Sequence, residues 1–461
     1  MARRLLILSL LVVLVVSLGF SQAKNGGIAR MIALGGANPA NNFVVNPFIY
    51  DDPTWTLLNP AYISQYKDYA WMNVAGGRVN NAVPDAGLGQ QFSGVNFGFG
   101  KELTVGAILS YDPSSFSNLR GVLNNFIGTV GKRAPNPVGL AAPGPLEVFE
   151  VVGALKVGTM DLGLGITYGW TNSDFTNGDT AAGAVTDASL PGHLLGIRGG
   201  LFLDLGGGSS VNGSVAFRTA SASDKVTIKG SANGQGESNY SAGATELQIA
   251  AAARLKVSNK FSFVPYGAFV SVSIDPKEDN VVKGDSTTKR ENTITTTAFV
   301  VGAGGELRMP SFLLAGGVSL VSSSTKAEPK DAAGKALTKS TTSLWAFPVF
   351  NLGMEWWFTD WLAGRAGYYR SFSSNGSKTE PPAGGGFTVE RNVFAGTSFF
   401  PFALSSYSSD GLVTLGLGLK FKGFALDGTV SEEALRRGLG LIGAADNINT
   451  FGYVTISYCF E

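Results

Sequence analysis

The 461-residue chain contains a single cysteine, Cys459, and a single histidine, His193. One cysteine cannot form an internal disulfide, and one imidazole cannot build a histidine-rich metal site. Charged residues make up only 15% of the chain and the formal net charge is +1, so no charged surface is indicated for nucleic acid. No nucleophile elbow, phosphate-binding loop or metal-ligand spacing occurs. We therefore predict a protein that is not an enzyme, needs no metal or cofactor, and does not bind nucleic acid.

Long apolar runs are also scarce. The one that occurs, Leu5–Leu18, follows Arg3 and Arg4 and precedes small residues at Ser21 and Ala23. A basic start, a short apolar run and small residues at the cleavage positions are typical of a secretory signal peptide. The run falls short of the ~20 residues that cross a bilayer as a helix. We predict that residues 1–23 are a signal peptide and that the protein is exported.

Glycine, by contrast, is abundant, with 62 residues, and much of it alternates with large apolar residues. Leu162, Leu164 and Ile166 alternate with Gly163 and Gly165, which gives a strand one large apolar face and one small face. Sixteen such segments can be counted from about residue 70 to residue 460. The pattern predicts an all-β fold, a transmembrane antiparallel β-barrel of 14–16 strands over residues 69–461, with its apolar face against outer-membrane lipid.

The connections between these segments are alternately short and long. Short turns belong to the periplasmic side of such a barrel and long loops to the outside of a diderm cell. The last segment, Phe451–Phe460, ends on an aromatic residue and resembles the C-terminal signal that outer-membrane assembly machinery recognises. Seven stretches are predicted as long loops: 112–146, 171–191, 222–241, 275–292, 323–341, 373–410 and 432–448.

Charges of both signs lie on the non-lipid face near the short turns, including Glu150, Glu246, Glu306, Glu355 and Arg365. A ring of one sign would indicate an ion-selective porin. The mixture favours ion pairs that brace the wall or fix a plug, and the ion-selective ring stays as the alternative.

Two further groups are candidate functional residues. Pro265 and Pro348 interrupt strands, and because proline has no N–H they predict either a break in the wall or simple bulges. In the loop 112–146, Leu123, Phe126 and Ile127 share one face of a predicted helix, which either shapes a ligand entrance or only covers loop hydrophobics.

The segment 24–68 breaks the two-residue alternation and is too apolar for a free tail. It contains Arg30–Ala37, the acidic pair Asp51 and Asp52, and Asn59-Pro60-Ala61-Tyr62. This order of features resembles the N-terminus of the FadL/TodX family of outer-membrane transport proteins and of the related PorV-type barrels. The resemblance implies that residues 24–68 form a hatch in the lumen, with Asn59, Pro60 and Ala61 as its motif.

The resemblance also suggests functions. The resemblance to the FadL/TodX family implies uptake of small hydrophobic compounds through the barrel. The resemblance to PorV-type barrels implies instead a barrel that binds secreted or envelope proteins without transporting a solute. An open diffusion porin is a third alternative, which would require an unfilled lumen.

Overall fold

The structure of the chain is a computed structural model. It describes residues 26–36, 46–75, 92–110, 147–171, 174–179, 184–189, 191–229, 236–282, 288–331, 333–382, 388–396, 412–430 and 451–460. The predicted signal peptide and the predicted loop helix with Leu123, Phe126 and Ile127 lie outside these residues.

The helices in this part of the chain are short. They are α1 (Ile28–Ala33) and two 3-10 helices, Pro53–Leu57 and Pro60–Tyr66. None of the helices within the described residues is long and apolar enough to cross a membrane. The strands are β1 (Tyr69–Ala75), β2 (Phe92–Phe99), β3 (Leu103–Ser110), β4 (Glu147–Val157), β5 (Met160–Thr171), β6 (Asp174–Asp179), β7 (Ala184–Ser189), β8 (Gly192–Gly206), β9 (Ser209–Lys229), β10 (Gly236–Lys256), β11 (Phe261–Val282), β12 (Thr288–Met309), β13 (Phe312–Lys330), β14 (Lys339–Trp357), β15 (Leu362–Glu380), β16 (Thr388–Gly396), β17 (Leu412–Phe421), β18 (Phe424–Val430) and β19 (Phe451–Cys459).

These strands form one closed antiparallel sheet. β1 pairs with both β2 and β19, which joins the first strand to the last. β5 pairs with β8, and β15 pairs with β17, so β6, β7 and β16 add pairings beyond the wall instead of closing it. Among the residues that the structure describes, sixteen strands make up the closed wall. The prediction of a barrel with 14–16 strands is confirmed.

The outer face of this wall is apolar. In β5, Leu162, Leu164 and Ile166 are 44%, 52% and 52% exposed. The next residue, Thr167, points to the other face and is fully buried. Large apolar side chains exposed all around a closed barrel require a hydrocarbon surrounding, because water would oppose their exposure. The chain therefore forms a transmembrane β-barrel of the outer-membrane type, with lipid around it.

Aromatic side chains lie on the wall at two levels, one near a short turn and one at the opposite end of β5. Trp356, Phe358 and Trp361 lie exposed at a short turn, with the Trp356 and Phe358 rings 5.0 Å apart. Tyr168 and Trp170, at the opposite end of β5, stack with ring centroids 5.5 Å apart. Rings with one polar edge prefer the boundary between lipid and water, so these residues show where the membrane ends.

Several of the predicted long loops are wrong, because the chain continues there as strand. β9 through β13 extend well into the stretches 222–241, 275–292 and 323–341, and β15 extends to Glu380. These stretches are rich in Ser and Thr, and this composition is also typical of loops. Paired with neighbouring strands, β-branched Thr and short Ser side chains are accommodated well in a sheet, and the ladder satisfies their backbone groups.

Candidate functional site

The N-terminal part of the chain lies inside the barrel. We call residues 26–36 and 46–68 the inner segment. Helix α1 packs on β15, β17, β18 and β19, while the second 3-10 helix packs on β4, β5 and β8. Phe48 reaches a third side, next to Gly304 of β12 and Gly317 of β13. Because these strands lie around the whole circumference of the wall, a segment that contacts all of them occupies the lumen.

Local sequence explains the shape of the inner segment. Asp52 accepts a hydrogen bond from the Thr54 N–H at 2.9 Å, and Pro53 follows it as the first helical residue. Asn59 accepts one from the Ala61 N–H at 2.9 Å, and Pro60 follows it in the same way. A side-chain cap followed by proline starts a helical turn, since proline needs no hydrogen-bond partner there. The motif Asn59-Pro60-Ala61 is thus the capped start of the second 3-10 helix.

The same motif is fitted to the wall. The Asn59 amide donates to the Leu201 carbonyl of β8 at 2.9 Å. A methyl group added at Gly200 would overlap the Asn59 side-chain oxygen, and one added at Gly163 would overlap the Ala61 nitrogen. Only a strand face without side chains lets the motif approach this closely. The small face of these strands is therefore the surface on which the inner segment rests.

This close fit predicts an asymmetric effect at two adjacent glycines. We expect Gly200→Ala to lower the free energy of unfolding by about 1–3 kcal/mol, because the added methyl must displace Asn59. In the matched control Gly199→Ala, the new methyl lies 3.7 Å from the nearest Val215 carbon, so little change is expected. Urea unfolding of both variants in lipid vesicles measures the difference, and equal effects would contradict the fit.

A chain of buried charges ties α1 to the wall. Arg30 forms ion pairs with Asp52 at 2.7 Å and with Glu355 of β14 at 2.8 Å. Glu355 also pairs with Arg365 of β15 at 2.6 Å, and Arg365 pairs with Asp427 of β18 at 2.7 Å. The predicted mixed charges thus form ion pairs that both brace the wall and fix the inner segment, which confirms that interpretation over a one-sign ring.

Burial and ion pairing act in opposite directions on the pKa of each of the two inner-segment residues, Arg30 and Asp52. Burial alone would lower the pKa of Arg30, but the carboxylates of Glu355 and Asp52 raise it well above its usual range. Burial raises the pKa of Asp52, and the Arg30 guanidinium opposes that rise. Each charge is tolerated inside the barrel because its partner is present, so removal of one partner leaves the other buried and uncompensated.

Other contacts hold the remainder of the inner segment. Arg198 of β8 pairs with Glu150 of β4 and also donates to the carbonyl groups of Thr56 and Leu57. Glu306 of β12 accepts from the Tyr50 N–H at 3.2 Å. Glu150 and Glu306 are among the inward charges predicted from the sequence, whereas Arg198 is not. The sequence does contain a feature that could have identified Arg198. It is a charged residue in the two-residue alternation of β8, at a position that faces inward, while its neighbours Ile197 and Gly199 face outward.

Aromatic rings fill the space between the inner segment and the wall. Trp55 and Tyr62 are buried, and the Tyr62 ring meets Phe202 of β8 edge-on at 5.5 Å. Burial, together with the Asp51 carboxylate, raises the pKa of Tyr62 well above its usual range. The phenol stays neutral and packs as part of an apolar cluster.

One side of the inner wall is apolar beyond the inner segment. On this side, buried apolar side chains of β3, β4, β8, β9, β10 and β11 line the lumen, and we call this set of side chains the apolar strip. They form one continuous hydrophobic cluster with Trp55 and Tyr62. Inward positions on the other side are mixed, with Ser319 and Ser371 beside a smaller apolar cluster of Val321, Ala346, Val349 and Tyr369. The strip consists of Ile108, Val148, Val152, Leu194, Ala220, Ala242, Ala244, Val270, Val272 and Ile274.

The two interrupting prolines lie in different surroundings. At Pro265, the β10–β11 ladder pairs Ala252 with Tyr266 and resumes only at Leu255 with Phe263, without a change of register. At Pro348, the β14–β15 register shifts between Ala346 and Val349, which is a bulge. The structure places the two prolines on separate strands of the wall and brings neither to the motif Asn59-Pro60-Ala61.

Comparison with known proteins gives structural neighbours only. No protein-family model matches the chain, and no curated protein matches it. The Pseudomonas putida toluene transporter TodX is similar over 95% of this chain and 99% of its own, with 10% sequence identity and a TM-score of 0.39. The Ralstonia pickettii toluene transporter TbuX is similar over 96% of this chain and 100% of its own, with 10% identity and a TM-score of 0.36. At this level of sequence identity, both likenesses concern the fold alone.

Proposed function

We propose that the protein is an outer-membrane channel for the uptake of small hydrophobic compounds, with the inner segment as its hatch. The observation that carries this proposal is the apolar strip, which is continuous with the aromatic cluster of the inner segment. A water-filled porin has a polar lumen. An apolar inner surface instead suits a solute that leaves water when it binds.

The expected strength of binding fits transport. An aromatic ring that buries roughly 200 Å² gains about 5 kcal/mol at ~25 cal/mol per Å², before the cost of association is subtracted. Binding of that order is weak enough for release. In the proposed path, a compound enters near the predicted helix with Leu123, Phe126 and Ile127, moves along the apolar strip, and passes when the hatch shifts around Asn59, Pro60 and Ala61. Pro265 and Pro348 stay candidate wall breaks for a lateral exit.

A partner-binding barrel of the PorV type is the second candidate. It is favoured by strand length, since β9 through β15 each contain 19–22 residues. A tilted strand needs only about 9–11 residues to cross the membrane. The remaining residues extend the sheet beyond the bilayer, where a secreted or envelope protein could dock. The third candidate, an open porin, is disfavoured by the contacts of the inner segment around the wall.

Uptake of N-phenyl-1-naphthylamine tests the proposal. This small, uncharged dye fluoresces in an apolar environment and is kept out by an intact lipopolysaccharide layer. We expect cells that produce the protein in such an outer membrane to take it up faster. Val272→Asp should reduce that gain about tenfold, because a charge would lie in the apolar strip. The matched control Ser273→Asp, on the opposite face of β11, should not.

The alternatives give different results in the same assay. The PorV-type function would be favoured if cells that produce the unmodified protein show no gain in dye uptake and the purified protein carries a stoichiometric protein partner. A gain that Val272→Asp and Ser273→Asp reduce equally would contradict passage along the apolar strip.

A further inference from the structure

Four polar side chains, each with one atom that lacks a hydrogen-bond partner of normal geometry, lie together near the short-turn end of β9 and β10. Tyr50 belongs to the inner segment, Ser210 and Asn212 to β9, and Arg254 to β10. The first three side chains are 1%, 3% and 2% exposed. The atoms without a hydrogen-bond partner are Tyr50 Oη, Ser210 Oγ, Asn212 Nδ2 and Arg254 Nε.

Strand register brings these groups to one place. Ser210 lies directly opposite Arg254 across the β9–β10 ladder, and Asn212, two residues along β9, shares the inward face of Ser210. The Arg254 guanidinium carbon lies 5.4 Å from the centre of the Tyr50 ring. Burial raises the pKa of Tyr50, and the nearby Ser210, Asn212 and Arg254 oppose that rise. The Tyr50 hydroxyl thus lies near Ser210 and Asn212, and the Arg254 guanidinium lies beside the Tyr50 ring.

The wall is also interrupted beside this cluster. The missing pairs of the β10–β11 ladder are those of Ala253 and Arg254 with Pro265 and Val264. Proline supplies no N–H, so β11 cannot complete the ladder there. The cluster thus adjoins the point where β10 lacks its neighbour, and it lies two residues from the exposed Lys256 at the end of the strand.

Arg254 differs from arginines on the neighbouring strands. Arg198 pairs with Glu150, and Arg218 pairs with Glu246. Among the described residues, no carboxylate forms an ion pair with Arg254. The hydroxyl and amide oxygens around this guanidinium can accept hydrogen bonds but carry no negative charge, and an anion with several oxygens is the group that supplies both acceptors and the compensating charge.

We propose that Tyr50, Ser210, Asn212 and Arg254 bind an oxyanion, either a carboxylate or a phosphate group. Tyr50 lies on the inner segment and the other three residues lie on the wall, so the bound group links the two. Occupancy then opposes movement of the inner segment at this end of the barrel. The group is either a free anion or the head group of an anionic lipid that reaches the interrupted ladder. The site does not depend on what the lumen transports.

Isothermal titration of the full-length protein in uncharged detergent with sodium phosphate tests the site. We expect saturable binding that Arg254→Gln and Tyr50→Phe each weaken about tenfold, because the first removes the positive charge that faces the anion and the second removes one hydroxyl donor. Tyr50→Phe removes a single hydroxyl and keeps the ring, so a thermal unfolding curve can confirm that this variant is folded. Arg308→Gln is the matched control, since Arg308 lies at the same end but already pairs with Glu306.

Nanodiscs distinguish the two sources of the anion. If phosphate binding persists in nanodiscs with phosphatidylglycerol as it does with phosphatidylcholine alone, the site takes a free anion. If phosphatidylglycerol competes with phosphate in the wild type but not in Arg254→Gln, the site takes a lipid head group. Phosphate binding that is absent, or equal in the wild type, Arg254→Gln and Arg308→Gln, would overturn the proposal and leave a hydrated cluster only.

Discussion

Deletion of residues 25–62 is expected to convert a nearly non-conducting barrel into a steady open pore. The deletion removes α1 and most of the contacts that fill the lumen, while all sixteen wall strands remain. A barrel of sixteen strands without a plug leaves an aqueous channel, so single-channel conductance in planar bilayers should rise at least about tenfold. Full-length protein, recorded in the same bilayers, should show almost no conductance.

Two controls make this result interpretable. Heat-modifiable migration on gels should show that the deletion variant is still a folded barrel. Leu164→Ala, a change on the lipid-facing side of β5, should leave conductance as low as in the full-length chain. A folded deletion variant that conducts no better than the wild type would show that the inner segment does not close the lumen. Large steady channels in the wild type would instead support an open porin.

The second large effect is expected from Arg30. Arg30→Ala leaves the buried Asp52 carboxylate without its cation, and Glu355 keeps only its ion pair with Arg365. Breaking a buried ion pair costs about 3–5 kcal/mol of folding free energy. The loss should appear in urea unfolding in lipid vesicles, and release of α1 should raise bilayer conductance. In Arg308→Ala, the lost cation is 44% exposed, so a change of at most about 1 kcal/mol is expected.

A double variant separates the ion pair from general damage. In Arg30→Ala with Glu355→Gln, the uncompensated charge at position 355 is gone, so the two changes should cost less together than the sum of their separate effects. Additive effects would show that Arg30 contributes by packing and not by its charge. Conductance that stays at the wild-type value in both variants would show that the ion pair does not hold the segment in the lumen.

The barrel could be predicted from the chain because its signal is local. Leu162, Leu164 and Ile166 need no distant partner to show that β5 has one apolar and one small face. The Asn59-Pro60-Ala61 turn is equally local, since cap and proline adjoin one another. Ser- and Thr-rich strand extensions were missed for the opposite reason. Their structure comes from neighbouring strands, and the residues alone are equally typical of loops.

The ion pairs could not be assigned from the sequence. Arg30 and Glu355 are 325 residues apart, and only the closed register of the sheet makes them neighbours. The same holds for Tyr50 and the wall residues Ser210, Asn212 and Arg254. A list of inward charges showed that pairs were to be expected, but the partner of each charge depends on strand tilt and on the path of the inner segment.

The position of α1 also has a consequence for folding order. The Ala29 N–H donates to the Thr455 hydroxyl of β19, a contact between residues 426 positions apart. β19 is also the strand that closes the barrel against β1. Helix α1 therefore completes its contacts with the wall only when β19 is in place. Contacts of such long sequence separation form late, because the intervening chain must be ordered first. We therefore expect docking of α1 to be coupled to closure of the barrel by β19, late in assembly.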